Sequence, residues 1–227
     1  MNGVLRKILL PLPTLVRWYL SRKRIYRFRE LTIDVFPGVF HPGFFSSTTM
    51  LLHYIEKQDL RNSRVLELGA GSGIISLLAY KMGASVTATD ISSKAIQNIH
   101  QNALKNKAIL SIVPSDLFEK LPHQKFDWIF INPPYYPRQP RKEEEFAWYC
   151  GEHHDYFVNL FCGLAPFMSS QTQTIMILSE VCDLKIIFGI AARYGFELEA
   201  ILEKYVLVDG KNYLFRIKPI GSNYASC

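Results

Sequence analysis

The chain has 227 residues, 48% of them hydrophobic and 20% charged; this composition is typical of a folded domain with a sizeable core and excludes a disordered or fibrous chain. The formal net charge is +6, and the excess lies at the start, where residues 1–30 hold eight lysines and arginines against the single Glu30. Four widely spaced cysteines form no CxxC pair, so no metal site is expected and a reducing, cytoplasmic setting is the simplest one.

Residues 1–45 are predicted to form a basic N-terminal arm. A basic segment on a near-neutral body indicates an anionic partner such as RNA, the ribosome or a membrane surface, although a solvated run of charges is an equally simple interpretation. The apolar run 8–16 is interrupted by Pro11 and Pro13 and is far shorter than the roughly 20 residues of a membrane span. We therefore expect neither a membrane helix nor a signal peptide, while peripheral membrane contact stays open.

Residues 46–219 are predicted to form the main domain, because short apolar runs alternate there with helix-like stretches. This alternation is typical of a parallel sheet with crossover helices. The predicted strands are residues 64–68, 85–89, 109–113, 128–131 and 174–178, and the predicted helices are residues 49–56, 73–82, 92–106, 145–166 and 183–194.

The end of this domain follows a different pattern. Residues 196–208 and 212–218 are both strand-like, and only Asp209, Gly210 and Lys211 separate them. So short a connection predicts a hairpin and hence an antiparallel pair at the edge of the sheet. Residues 220–227 are left as a C-terminal tail.

The first strand runs directly into a glycine turn, VLELGAGSG at residues 65–73. Ligands of open α/β sheets bind beyond the carboxyl ends of the strands, and glycines let the backbone approach a ligand closely. A dinucleotide site needs a third glycine at residue 74, which is Ile74. The turn instead resembles motif I of the class I S-adenosylmethionine-dependent methyltransferases, whose Rossmann-like fold has seven strands and a C-terminal antiparallel hairpin.

This resemblance implies a cofactor site for S-adenosylmethionine along the following strands. Asp90 ends the second strand, where a carboxylate can accept both ribose hydroxyls, and Ser92 is suited to cap the next helix. Asp116 follows the third strand, where it would accept a hydrogen bond from the adenine amino group while Leu117 covers the ring. The implied cofactor-binding residues are Glu67, Gly69, Ala70, Gly71, Gly73, Asp90, Ile91, Ser115, Asp116, Leu117 and Asn132.

The fourth strand leads into Asn132, Pro133, Pro134 and Tyr135, the predicted catalytic residues. The lone pair of an amide or base amine is delocalised, so an enzyme must hold both N–H groups to point that lone pair at the methyl group. The Asn132 side-chain oxygen and the Pro133 carbonyl are two such acceptors. Consecutive prolines restrain the backbone, Tyr135 offers a flat face for stacking, and orientation rather than a strong base would supply the catalysis.

An NPPY sequence occurs in methyltransferases that act on glutamine amides and on exocyclic amines of bases. The stretch AWYCGEHHD, residues 147–155, is similar to the HemK-type protein-glutamine group, whereas the arm's charge favours RNA. The chain departs from that group in Tyr136 and Pro137, in the hydroxyl run SSTT at residues 46–49, and in lacking a larger N-terminal recognition domain. The expected substrate is thus a macromolecule, protein or RNA and possibly ribosomal; the alternatives are a non-catalytic cofactor- or RNA-binding module and a membrane-surface enzyme acting on a small amine.

Overall fold

The computed structural model describes residues 21–206 and 210–221. The first 20 residues, which carry part of the predicted basic arm and the apolar run 8–16, lie outside the described residues, as do residues 222–227 of the predicted tail. The elements in chain order are β1 (Arg24–Phe28), β2 (Leu31–Val35), α1 (Ser46–Ile55), β3 (Arg64–Leu68), α2 (Ile74–Lys81), β4 (Ser85–Asp90), α3 (Ser93–Lys105), β5 (Ser111–Pro114), β6 (Phe126–Ile131), α4 (Asp155–Leu164), β7 (Met168–Ser179), α5 (Leu184–Arg193), β8 (Phe196–Val206) and β9 (Gly210–Pro219).

Seven strands form one sheet in the order β5-β4-β3-β6-β7-β9-β8. Strands β3 to β7 pair in parallel, and β9 pairs antiparallel with both β7 and β8. The predicted mostly parallel α/β fold with a C-terminal antiparallel hairpin is confirmed. Because the parallel strands all end at the same edge, the segments that follow β3, β4, β5 and β6 lie side by side.

Several predicted boundaries are wrong; the strand expected over residues 174–178, for example, already begins at Met168. The helix expected over residues 145–166 begins only at Asp155, because Gly151 and His154 have φ values of 86° and 61° that a right-handed helix does not accept. A 3₁₀ turn, Glu143–Glu145, lies in this loop instead. The C-terminal connection comes earlier than expected, since Gly210 and Lys211 already pair with Val206 and Tyr205; residues 207–209 lie outside the described residues.

Strands β1 and β2 form an antiparallel hairpin that packs on the helices of the main sheet. Helix α3 holds it by asparagines spaced four residues apart, which therefore share one face of the helix. Asn98 accepts from the Phe36 amide at 2.9 Å, and Asn102 accepts from the Asp34 amide at 2.8 Å. Asn102 also donates to the carbonyl of Ser72 at 2.9 Å, so one side chain joins the hairpin to the glycine turn.

The core lies on both faces of the sheet. Helices α4 and α5 cover one face with Phe157, Phe161 and Ile187, all almost fully buried. Helices α1 and α2 cover the other with the hairpin. None of the helices within residues 21–206 and 210–221 is long and apolar enough to cross a bilayer.

Candidate functional site

A cavity of about 330 Å³ opens at the carboxyl ends of β3 to β6, which is within the size range of small-molecule sites. It brings together nearly all of the residues that the sequence singled out. Those lining it are Glu67, Gly69, Ala70, Gly71, Asp90, Ile91, Ser115, Asp116, Leu117, Asn132, Pro133, Pro134 and Tyr135. Gly73 does not line it.

The glycine turn after β3 keeps the floor of the cavity clear. Gly69 and Gly71 have φ values of 69° and 53°, a region that side chains other than glycine rarely adopt. A Cβ at Gly69 would meet nothing within 4 Å, and one at Gly71 only Val39 at 3.9 Å. Gly73, also at positive φ, instead precedes α2, and a Cβ there would press on Ile99 at 3.2 Å.

Glu67, at the end of β3, is 3% exposed. One of its carboxylate oxygens accepts both the backbone amide of Ser76, at 2.8 Å, and the Ser76 hydroxyl. Burial raises the pKa of Glu67 from its ordinary value of 4.5 to about 8, against the lowering effect of those two hydrogen bonds. Burial therefore favours the protonated form of Glu67, and a cation beside it would favour the ionised carboxylate.

Asp90 and Asp116 add two more carboxyl groups on the same side of the cavity. Asp90 accepts the Gly71 amide at 2.8 Å and the Ser92 amide at 2.9 Å, and burial nonetheless raises its pKa. Burial also raises the pKa of Asp116. The Ser92 hydroxyl accepts from the Ala95 amide at 3.2 Å, which confirms the predicted helix cap.

Asn132 follows β6 directly and is held by two side chains. Its amide nitrogen donates to the Thr48 hydroxyl at 3.2 Å, so its oxygen faces the other way, where the Tyr135 hydroxyl donates to it at 3.4 Å. The Thr48 contact fixes which end of the amide points into the cavity. Sequence reasoning missed this partner because Thr48 and Asn132 are 84 residues apart.

Helix α1 directs its amino end at the cavity. Phe45 precedes it and supplies no side-chain cap to the first turn. Ser47, in the first turn, lines the cavity, is 1% exposed and has a hydroxyl without a hydrogen-bond partner. A buried polar atom of this kind is costly unless something binds it. The hydroxyl run at residues 46–49 was the signal in the sequence.

Aromatic rings form a wall of the cavity. Trp148 lies 5.2 Å from Phe40 and 5.5 Å from Phe45 between ring centroids, and Phe40 stacks on Phe45 at 5.6 Å. All three rings line the cavity beside the Asn132 corner. Sequence reasoning noted Trp148 only as a likeness and missed the two phenylalanines.

The loop after the Asn132 corner is fastened across the cavity by Glu143. One oxygen of this carboxylate accepts the hydroxyls of Ser92 and Ser93, at 2.9 and 2.8 Å, and the Lys94 amide at 3.2 Å. The next residue, Glu144, pairs with the Lys94 ammonium at 2.6 Å. We call this set of contacts the latch; it joins the loop to the amino end of α3, where a negative charge is favoured.

The family follows from a match over the central part of the chain. A sequence model described as methyltransferase small domain matches residues 30–148, which is more than half of the chain. The chain belongs to the methyltransferase small domain family. The matched segment runs from the β1–β2 hairpin to Trp148 and contains every residue predicted from the sequence to bind the cofactor or to act in catalysis.

This chain is similar in sequence to curated methyltransferases. A "putative protein N5-glutamine methyltransferase" of Methanocaldococcus jannaschii is 35% identical over 114 residues, 50% of this chain and 55% of that protein. A ribosomal RNA small subunit methyltransferase C of Vibrio cholerae is 30% identical over 122 residues, 53% of this chain and 35% of that protein. The chain thus spans about half or less of the length of these curated relatives.

A solved structure supports the same fold. A T. thermophilus 16S rRNA methyltransferase in complex with AdoMet and guanosine matches with a TM-score of 0.62 and 21% identity, over 87% of this chain and 50% of that one. At this identity the likeness shows the methyltransferase fold alone.

The cavity offers no thiol nucleophile at neutral pH. Cys150 lines it, and burial raises the pKa of both Cys150 and Cys182 to about 12, so these two stay protonated. In the part of the chain that the structure describes, no cluster of three or more histidine, cysteine or acidic side chains is placed to hold a metal ion. The cavity lining thus presents carboxyl groups, the Asn132 corner and aromatic rings.

Proposed function

We propose that this family member uses S-adenosylmethionine to methylate a planar nitrogen. The observation that carries the proposal is the Asn132 corner: Thr48 orients its amide, and the corner opens into the same cavity as Glu67 and Asp90. An oriented acceptor oxygen next to a site suited to a cationic nucleoside fits transfer to a weak nitrogen nucleophile.

The residues present fit the cofactor from end to end. Glu67 and the amino end of α1, with Ser47, suit the ammonium and carboxylate of its methionine part. Asp90 retains lone pairs for the ribose hydroxyls, and Asp116 with Ile91 and Leu117 suits adenine. Burial raises the pKa values of Glu67 and Asp90, and an ammonium group beside Glu67 would favour its ionised form.

When bound, the cofactor supplies an electrophilic methyl group on a sulfonium. The Asn132 oxygen and the Pro133 carbonyl would accept the two N–H groups of the acceptor and so aim its lone pair at the methyl carbon. The part played by this chain would be to hold the nitrogen in place while it receives that methyl group and to let the extra proton of the nitrogen leave to water. Thr48 and the two prolines hold the acceptor geometry, which is where the rate enhancement would come from.

Two classes of acceptor nitrogen fit the activities for which the relatives are named. The Methanocaldococcus jannaschii relative is named for glutamine and the Vibrio cholerae relative for ribosomal RNA, so an amide and a base amine are both consistent with the family. Both groups are planar and present two N–H donors or one, which the same corner can hold.

The competing function is a module that binds the cofactor or RNA without transferring a methyl group. Asn132→Ala separates the two, because binding alone needs no acceptor clamp. Transfer of label from tritiated cofactor to a cell extract should fall about 100-fold, while cofactor affinity measured by calorimetry changes little. Equal transfer by wild type and Asn132→Ala would refute the proposal, as would no transfer by wild type to any extract fraction.

A further inference from the structure

The acidic and basic side chains of the loop after the Asn132 corner differ in their contacts. Glu143 and Glu144 form the latch, and Glu145 accepts the Arg141 amide at 2.7 Å. The exposed cations of the loop, Arg138, Arg141 and Lys142, form no salt bridge with any described residue. We call these three exposed cations the rim; they belong to the loop whose Gln139, Pro140 and Glu143 line the cavity.

Aromatic rings lie directly behind the rim. The Arg138 guanidinium stacks over the Tyr149 ring, 5.1 Å from its centroid. Phe146 is 40% exposed and also lines the cavity. Behind it stands the wall of Phe40, Phe45 and Trp148. This arrangement suits a single-stranded nucleic acid with unstacked bases. Its phosphates can bind the exposed cations, and its bases can stack on the aromatic rings that lie further in.

We propose that the rim binds the phosphate backbone of a single-stranded RNA segment, while one base of that segment enters the aromatic-lined cavity and offers its exocyclic amine to Asn132. This inference rests on the proposed methyltransferase function and selects its acceptor class. A glutamine on a protein loop would need neither three exposed cations nor stacking faces of this extent.

The test compares two triple variants of the full chain that remove the same charge. The rim variant is Arg138→Gln, Arg141→Gln and Lys142→Gln. The control variant is Lys57→Gln, Lys125→Gln and Arg193→Gln, three exposed cations that lie before β3, before β6 and at the end of α5, at the edge of the sheet opposite the cavity, and that do not line the cavity. Residues 1–20 are the same in both, so their basic side chains cancel in the comparison.

Binding of a fluorescent single-stranded RNA of about 12 nucleotides is measured by anisotropy over a range of salt. Each phosphate contact on a single strand contributes about 0.7 to the slope of log affinity against log salt, so losing three should flatten the slope by about 2 in the rim variant and weaken binding about 10-fold or more. The control variant should stay within about twofold of wild type. Phe146→Leu should weaken RNA binding at least about threefold and leave heparin binding unchanged, because heparin has no bases to stack.

Equal losses in the rim and control variants would overturn the proposal, because they would mean non-specific attraction. Label transferred from tritiated cofactor that resists RNase and yields to protease would overturn it too, in favour of a protein substrate, while leaving the methyltransferase function standing. Absence of cofactor binding in all variants would instead overturn the proposed function. Support requires RNase-sensitive label that the rim variant loses and the control keeps, with calorimetric affinity for S-adenosylhomocysteine unchanged in both.

Discussion

Replacing Glu67 with glutamine should stabilise the cofactor-free protein at neutral pH. Folding raises the pKa of Glu67 from 4.5 to about 8, so the folded protein holds a proton that the unfolded chain has released. The folded state therefore binds more protons, and stability falls as the pH rises from 4.5 to about 8. Glutamine has the shape of the protonated acid and can still accept from Ser76, but it does not titrate.

The magnitude follows from about 1.36 kcal/mol per pKa unit. At pH 7 the wild type bears a cost of about 3 kcal/mol, and at pH 5 of about 1 kcal/mol, so Glu67→Gln should gain these amounts in the free energy of unfolding. Urea unfolding at both pH values measures them. Glu152→Gln, at an exposed glutamate, is the control and should change stability by less than about 0.5 kcal/mol. A gain that is the same at both pH values, or a loss at pH 7, would refute the reasoning.

Three further changes probe other contacts. Thr48→Val frees the Asn132 amide to rotate and should lower turnover about 10-fold with unchanged cofactor affinity by calorimetry; weaker cofactor binding with normal turnover would count against the assigned role. Glu143→Gln weakens the latch and should raise the rate of cofactor dissociation several-fold, as measured by stopped-flow. An unchanged dissociation rate would contradict the role assigned to the latch. Asp34→Asn removes the partner of Lys105, whose hydrogen bond lowers the Asp34 pKa; the loss of about 1 kcal/mol at pH 7 should shrink as the pH falls below 3.8, and a loss independent of pH would contradict the linkage.

The sheet was predictable because parallel strands leave a local signal. Residues 64–68, RVLEL, form a largely buried strand that glycines follow directly, and strand, turn and helix follow within about ten residues of one another. The predicted cofactor residues other than Gly73 line one cavity for the same reason, since they lie at or just after strand ends and the fold brings these ends to one edge.

The rest depends on contacts between distant segments, which periodicity does not report. The spacing of Asn98 and Asn102 places them on one face of a helix. It does not tell whether that face is exposed to solvent or hydrogen-bonded to the backbone of the β1–β2 hairpin. The acidic run that contains Glu143 resembles a solvated charge run. Glu143 nevertheless accepts a hydrogen bond from Ser93, which lies 50 residues earlier in the chain. The helix expected over residues 145–166 failed because apolar spacing continued through Gly151, whose positive φ ends the regular backbone.

A crystal structure of the full chain with S-adenosylhomocysteine tests the central assignment most directly. We expect the ribose hydroxyls on Asp90, the adenine between Asp116 and Leu117, and the sulfur facing the oxygen of Asn132. A sulfur atom that faces away from the oxygen of Asn132, or a ligand bound outside the cavity, would contradict the account.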